Sequence, residues 1–206
     1  MGKKLQEGFT LVELLVGLMV VSIALGIGIP ATSDLLANSR MAGAVNDLVS
    51  TLYFARSQAL AFDTPVTVCA SLQGTACDDG ARLLEGWMVF RDTNGDGRLT
   101  ADPANPEPIY ATHAALADRI AHDPNTSSGN TQPQYFFFDR RGRPLVTPLP
   151  IGPAIASVQL CDERGARDMG NGLAAGRWIR IQPNGQPLLM DRMADVQGGQ
   201  NPYGGC

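Results

Sequence analysis

Apolar residues fill positions 9–29 almost without a break, FTLVELLVGLMVVSIALGIGI, with Glu13 as the one ionisable side chain. At 1.5 Å per residue this run predicts a helix of about 31 Å, the hydrocarbon thickness of a bilayer. Beyond Pro30, a residue placed to kink a helix, the pattern changes. Met41, Val45, Leu48, Leu52, Ala55 and Ala59 recur at steps of four and three, which puts them on one helical face. Asn38, Arg40, Asn46, Asp47, Ser50 and Gln58 fall mostly elsewhere. This amphipathic helix is expected to end near Phe62, because Asp63-Thr64-Pro65 follows and the residue before a proline avoids helical geometry.

From residue 63 the pattern becomes one of short β-rich runs and turns. Runs at 66–69, 86–90, 109–112, 135–138, 158–162, 178–182 and 188–190 read as strands. Residues 121–134 are poor in apolar side chains and read as an exposed loop. Residues 139–142 read as a turn, and Asn184-Gly185 is a hairpin signal. The tail from Asp195 is turn-rich. The expected fold is therefore α+β: a long N-terminal helix, transmembrane in its first half, packed against a β-rich globular head. The expected segments are a leader at 1–8, an apolar helix at 9–29, its amphipathic continuation at 30–62 and the head at 63–206.

The leader, MGKKLQEG, changes how the apolar run is read. A secretory signal is cut after its apolar region. Here the small-residue junction, Gly8-Phe9, lies before it, and a cut there leaves the apolar segment on the mature chain. Lys3 and Lys4 would hold the leader on the cytoplasmic side. Glu13 is then the anomaly, since a carboxylate at the centre of a membrane helix costs roughly 2.5–3.5 kcal/mol on insertion scales. Such residues usually carry function.

Composition narrows the classes of activity. The 206 residues carry a net charge of −4, and loss of residues 1–8 removes Lys3, Lys4 and Glu7 to leave −5. An acidic chain does not attract nucleic acid through a general positive field. His113 and His122 are isolated, and no serine-hydrolase, metalloprotease or phosphate-loop signature appears, so no enzyme is expected. Cys69, Cys77, Cys161 and Cys206 allow three connectivities. We expect Cys69–Cys77, bracketing a glycine-containing loop, and Cys161–Cys206, tethering the glycine-rich tail.

Two strings are candidate ligand sites. Asp92-Thr93-Asn94-Gly95-Asp96-Gly97 offers oxygens at alternate positions, as calcium loops do, and makes Asp92, Asn94 and Asp96 candidate calcium ligands. The twelfth position, where a bidentate Glu belongs, is Pro103. The competing reading is an Asx-turn hairpin loop. Arg140, Arg141 and Arg143 follow the aromatic run YFFF, a pairing that can bind single-stranded nucleic acid. The competing reading has the Phe residues alternating between core and sheet surface and the arginines solvating a hairpin tip.

The string GFTLVELL at 8–15 resembles the processing signal of type IV pilins and pseudopilins. FARSQALAFDTPVTVC at 54–69, GWMVF at 86–90 and the pair LCDERG and GRWIRIQPNG at 160–185 resemble the FimT/FimU/GspH group of minor pilins and pseudopilins. The resemblance implies a structural subunit that helps initiate or cap a pilus. It implies cleavage between Gly8 and Phe9 by a prepilin peptidase, methylation of Phe9, and pairing of Glu13 with the N-terminal amine of a neighbouring subunit. The implied location is the inner membrane, single-pass with a periplasmic head, and then the pilus. The implied partners are other minor and major pilins through the helix. Two alternatives stay open: a GspH-type minor pseudopilin of type II secretion, and a DNA-receptor pilin. Some relatives bind DNA through paired arginines after the last hairpin turn. Here that stretch is Gly185-Gln186-Pro187-Leu188, so DNA is not the expected partner.

Overall fold

A computed structural model describes residues 9–116, 119–122, 135–145, 148–149, 152–153 and 155–206, without the side chains of 27–31, 121–122, 148–149 and 152–153. The first element is the α-helix α1, Leu11–Phe62, which continues through Pro30. The chain divides into two compact units, Met1–Ser39 and Arg40–Cys206.

In the first unit α1 is apolar around its circumference. Leu11, Leu14, Leu18, Met19, Ile23 and Leu25 are all exposed. Such a segment needs a cover that its own fold does not supply. Among the described residues no helix is long and apolar enough to cross a membrane.

The second unit is built on residues 40–62 of α1. Met41, Ala44, Val45, Leu48, Leu52, Ala55 and Ala59 are buried on one face. The alanines let the helix backbone come close to the strands below it, and Leu48 and Leu52 each contribute about 1.5–3 kcal/mol by burial. The helix stops where Asp63 turns to φ 48° ahead of Pro65.

Two antiparallel four-stranded sheets follow. One has the order β3-β2-β1-β5, with β1 Val66–Ala70, β2 Gly86–Arg91, β3 Ile109–Ala114 and β5 Tyr135–Phe138. The other has the order β10-β9-β8-β4, with β4 Ile120–His122, β8 Ser157–Asp162, β9 Leu173–Ile181 and β10 Pro187–Arg192. A two-residue ladder joins β6, Pro148–Leu149, to β7, Gly152–Pro153. The main core holds the α1 stripe together with Val66, Val68, Trp87, Val89, Phe136 and Phe138 from the first sheet and Val158, Leu160, Ile179 and Ile181 from the second.

The structure corrects several expectations. Residues 121–122 belong to β4 and do not start a loop; the rest of the expected loop, 123–134, lies outside the described residues. The tail carries a short helix, α2 Met193–Val196, whose Val196 is buried with Ala174 and Trp178. The second face of the aromatic run β5 is not surface. Tyr135 and Phe137 are buried with Cys69, Met88 and Phe90, under Cys77, Leu99 and Leu145. They offer no platform on which a base could stack.

Candidate functional site

The N-terminal site starts at Phe9, exposed ahead of α1, while Gly8 lies outside the described residues. Glu13 folds back on the helix start. Its Oε2 accepts from the Thr10 N–H at 3.1 Å and from the Thr10 hydroxyl at 3.0 Å. The Glu13 N–H in turn donates to Thr10 Oγ1 at 3.2 Å. This is a reciprocal capping box, which satisfies amides that a helix start leaves open. The Thr10-x-x-Glu13 spacing carries this signal in the sequence. The glutamate therefore has a local role that needs no neighbour, and a second carboxylate oxygen beyond it.

The Asp92 loop is closed on itself. Asp92 is buried. Its Oδ1 accepts from the Gly95 and Asp96 amides at 2.7 and 3.1 Å. Its Oδ2 accepts from the Thr67 hydroxyl and the Gly97 amide, both at 2.8 Å. Asn94 and Asp96 bond to each other, Asn94 Nδ2 donating to Asp96 Oδ2 at 3.0 Å. Glu107, also buried, takes the Thr93 amide at 3.0 Å and the Thr100 amide and hydroxyl at 2.7 and 2.8 Å. Burial pushes the Asp92 carboxyl above its ordinary value; the bonds from Thr67, Gly97 and Gly95 oppose this, and the Glu107 charge adds to it. Among the described residues no three His, Cys, Asp or Glu side chains stand together as a metal site. The two carboxylates here organise backbone. Glu107 was not legible in the sequence, since it lies fifteen residues from Asp92.

The arginine turn is partly neutralised. Asp139 accepts the Arg141 and Arg143 amides at 2.9 and 2.8 Å, and its Oδ2 takes both Nε and Nη2 of Arg143 at 3.0 and 2.9 Å. Burial works against the Asp139 charge, but these amides and the Arg143 guanidinium outweigh it and hold the carboxyl below its ordinary value. Arg140 and Arg141 remain exposed. A residue outside the predicted set ties this turn down. Arg56 on α1 donates from Nε to the Gly142 carbonyl and from Nη2 to the Asn184 carbonyl, each at 3.1 Å.

The structure joins Cys69 to Cys77 and Cys161 to Cys206, each with 5.7 Å between Cα atoms. The first closes the loop after β1. The second fastens the tail over β8, where buried Gln159 and Asn201 bond to each other and Tyr203 OH donates to the Ser157 carbonyl.

Two family profiles match this chain. Residues 3–29 match the prokaryotic N-terminal methylation motif. Residues 44–185, well over half the chain, match the type II transport protein GspH. The chain belongs to the GspH family. This is a family of structural pilin and pseudopilin subunits, not of enzymes. No curated protein matches closely enough to count as a relative. Two crystal structures of the type IV minor pilin FimU from Pseudomonas aeruginosa are similar at 16% identity, with TM-scores of 0.43 and 0.41. The matches cover 74% and 72% of this chain and 90% of FimU. The GspH match takes in Arg56, the Asp92 loop, the arginine turn and the Asn184-Gly185 turn. It stops before α2, Asn201 and Cys206, so the tethered tail lies beyond the family match.

Proposed function

We propose that this GspH-family chain is a minor type IV pilin, a structural subunit that is cut between Gly8 and Phe9 and assembles through α1 to help initiate or cap a pilus. The observation that carries this reading is the pairing of two parts in one chain. A methylation motif opens an all-round apolar helix, and a GspH-type head follows. The apolar half of α1 is anchored in the inner membrane as a single pass before assembly, then buried among other minor and major pilins. The head stands in the periplasm, where its disulfides persist.

A second reading is favoured by the description of the matched family as a type II transport protein. In it the same subunit sits in a secretion pseudopilus. The DNA-receptor reading has less support. Arg143 is paired with Asp139, and Tyr135 and Phe137 are buried.

Intact mass of the membrane fraction tests the shared core of both readings. The mature chain begins at Phe9 with one added methyl, and Gly8→Val accumulates as precursor. A mature chain starting beyond residue 30 overturns assembly through α1. Deleting the gene then separates the two systems: loss of surface pili supports the pilin, and loss of secreted enzymes with pili intact supports the pseudopilin.

A further inference from the structure

The strand edges of the head are unequally protected. The outer side of β5 is closed by its own chain, through bonds from the Asp139 amide to Arg143, the Leu145 amide to Phe137 and the Ile155 amide to Tyr135. β10 carries Pro187, Asp191 and Arg192, and β4 is only three residues long. These are the usual defences of a sheet edge. β3, Ile109-Tyr110-Ala111-Thr112-His113-Ala114, carries no proline, lysine or carboxylate, and its one such device is a bulge at its start. It ends its sheet and pairs, among the described residues, with β2 alone.

The register adds a second feature. Val89 faces Ala111 and Phe90 faces Ile109, so Tyr110 is the extra residue of a bulge. The bulge turns Tyr110 toward α1, where it stacks on Phe62 at 6.0 Å and meets Phe54 edge-on at 6.5 Å. The regular edge is therefore the four residues 111–114. Beside it, between α1 and β3, lies a cleft of about 340 Å³. Trp87, Val89 and Phe54 supply its apolar wall, Thr51 and His113 its rim, and the small Ala111 leaves it open. Trp87 is already fixed by its bond to Thr51 Oγ1 at 3.1 Å and by the stacked His113 ring at 4.0 Å, so the wall is preformed.

We propose that the edge of β3, unpaired among the described residues, and this cleft together receive an extended segment of another protein chain as an added strand, with one apolar side chain seated in the cleft. A row of outward backbone groups is matched only by another backbone, which defines the occupant as an extended peptide. Main-chain bonds then give affinity, and the pocket for alternate side chains gives selectivity. The edge carries no charge and Asp47 stands near the rim, 3.5 Å from His113 Nε2. The segment is accordingly uncharged or basic at its ends, with a branched aliphatic or aromatic residue in the middle. This inference rests on the head alone and not on the choice between pilus and pseudopilus.

Amide hydrogen exchange on the full chain in detergent micelles tests it. The probe is the peptide acetyl-Lys-Thr-Val-Thr-Leu-Thr-Lys-amide, with the Leu→Asp version as control. Without peptide the outward amides of 111–114 exchange quickly. With the Leu peptide at about 1 mM they slow at least tenfold, and with the Asp peptide they do not. Ala111→Phe, which fills the cleft from inside, abolishes the slowing while the exchange of β1 and β2 stays as in the parent. If Ala111→Phe loosens β1 and β2, Ala111→Leu replaces it. Three results overturn the proposal: no slowing with the Leu peptide, equal slowing with both peptides, or slowing that grows with the concentration of the protein alone, which would make a second copy the occupant.

Discussion

Gly185 lies against Gly142: a Cβ on Gly185 would stand 1.7 Å from the Gly142 carbonyl oxygen. Gly185 also has φ +83°, which side chains rarely adopt. The Asn184-Gly185 turn and the arginine turn thus touch through backbone, and Arg56 reaches both from α1. Gly185→Ala should destabilise the head by about 3 kcal/mol or more, because both the backbone conformation and the contact are lost. Arg56→Ala should cost about 1.5–3 kcal/mol, the range for hydrogen bonds made by a charged group. Thermal unfolding of the full chain in micelles reads both. A Gly185→Ala protein as stable as the parent would show that the two turns are free to separate.

The pH dependence of the arginine turn follows from Asp139. Its carboxyl is held below the ordinary 3.8 in the fold. The unfolded chain therefore takes up the proton first on acidification. The stabilisation is present above the unfolded value and is lost as pH falls through the folded one. Asp139→Asn should be less stable than the parent at neutral pH, and the gap should close as the pH falls below the ordinary 3.8 and through the lower folded value. A gap that stays constant down to that pH would remove the Asp139–Arg143 pair as its cause.

For the Asp92 loop, Asp92→Ala leaves three donors without an acceptor, the Thr67 hydroxyl and the Gly95 and Gly97 amides, while the Asp96 amide keeps Asn94 Oδ1. We expect a loss of about 3 kcal/mol or more. Added calcium should leave the melting temperature of the parent unchanged, since the carboxylate already serves internal donors. A calcium-dependent rise that disappears in Asp96→Ala protein would restore the ligand reading.

Glu13 caps the helix start, and the proposed pairing with a neighbour's α-amine is separable from that role. Glutamine at the third helical position still closes a capping box, but it cannot pair with an α-amine. Glu13→Gln should therefore keep the helix start ordered while lowering incorporation into filaments, and Glu13→Ala should lose both. Filament yield together with hydrogen exchange at residues 10–14 distinguishes them. Normal assembly by Glu13→Gln would leave capping as the sole function of the residue.

Much of this architecture was legible in the chain itself. The apolar run at 9–29, the four-and-three spacing from Met41 to Ala59 and the Asp-Thr-Pro stop are local signals. Each is set by helix periodicity or by backbone sterics within a few residues, and for that reason the helix and its buried face could be read directly. The strands around 66, 86, 135, 158 and 178 were legible for the same reason. Tertiary structure decided what depends on residues distant in sequence. It brought Thr67 to the Asp92 carboxylate, whose oxygens the amides of the loop also occupy, and brought Glu107 to the Thr93 and Thr100 amides of the same loop. It covered the second face of β5, where alternation had implied a surface. It set Arg56 between two turns 86 and 128 residues away, and left β3 paired on one side only among the described residues. Periodicity specifies which side of an element is apolar, but which groups meet there is a property of the packed chain.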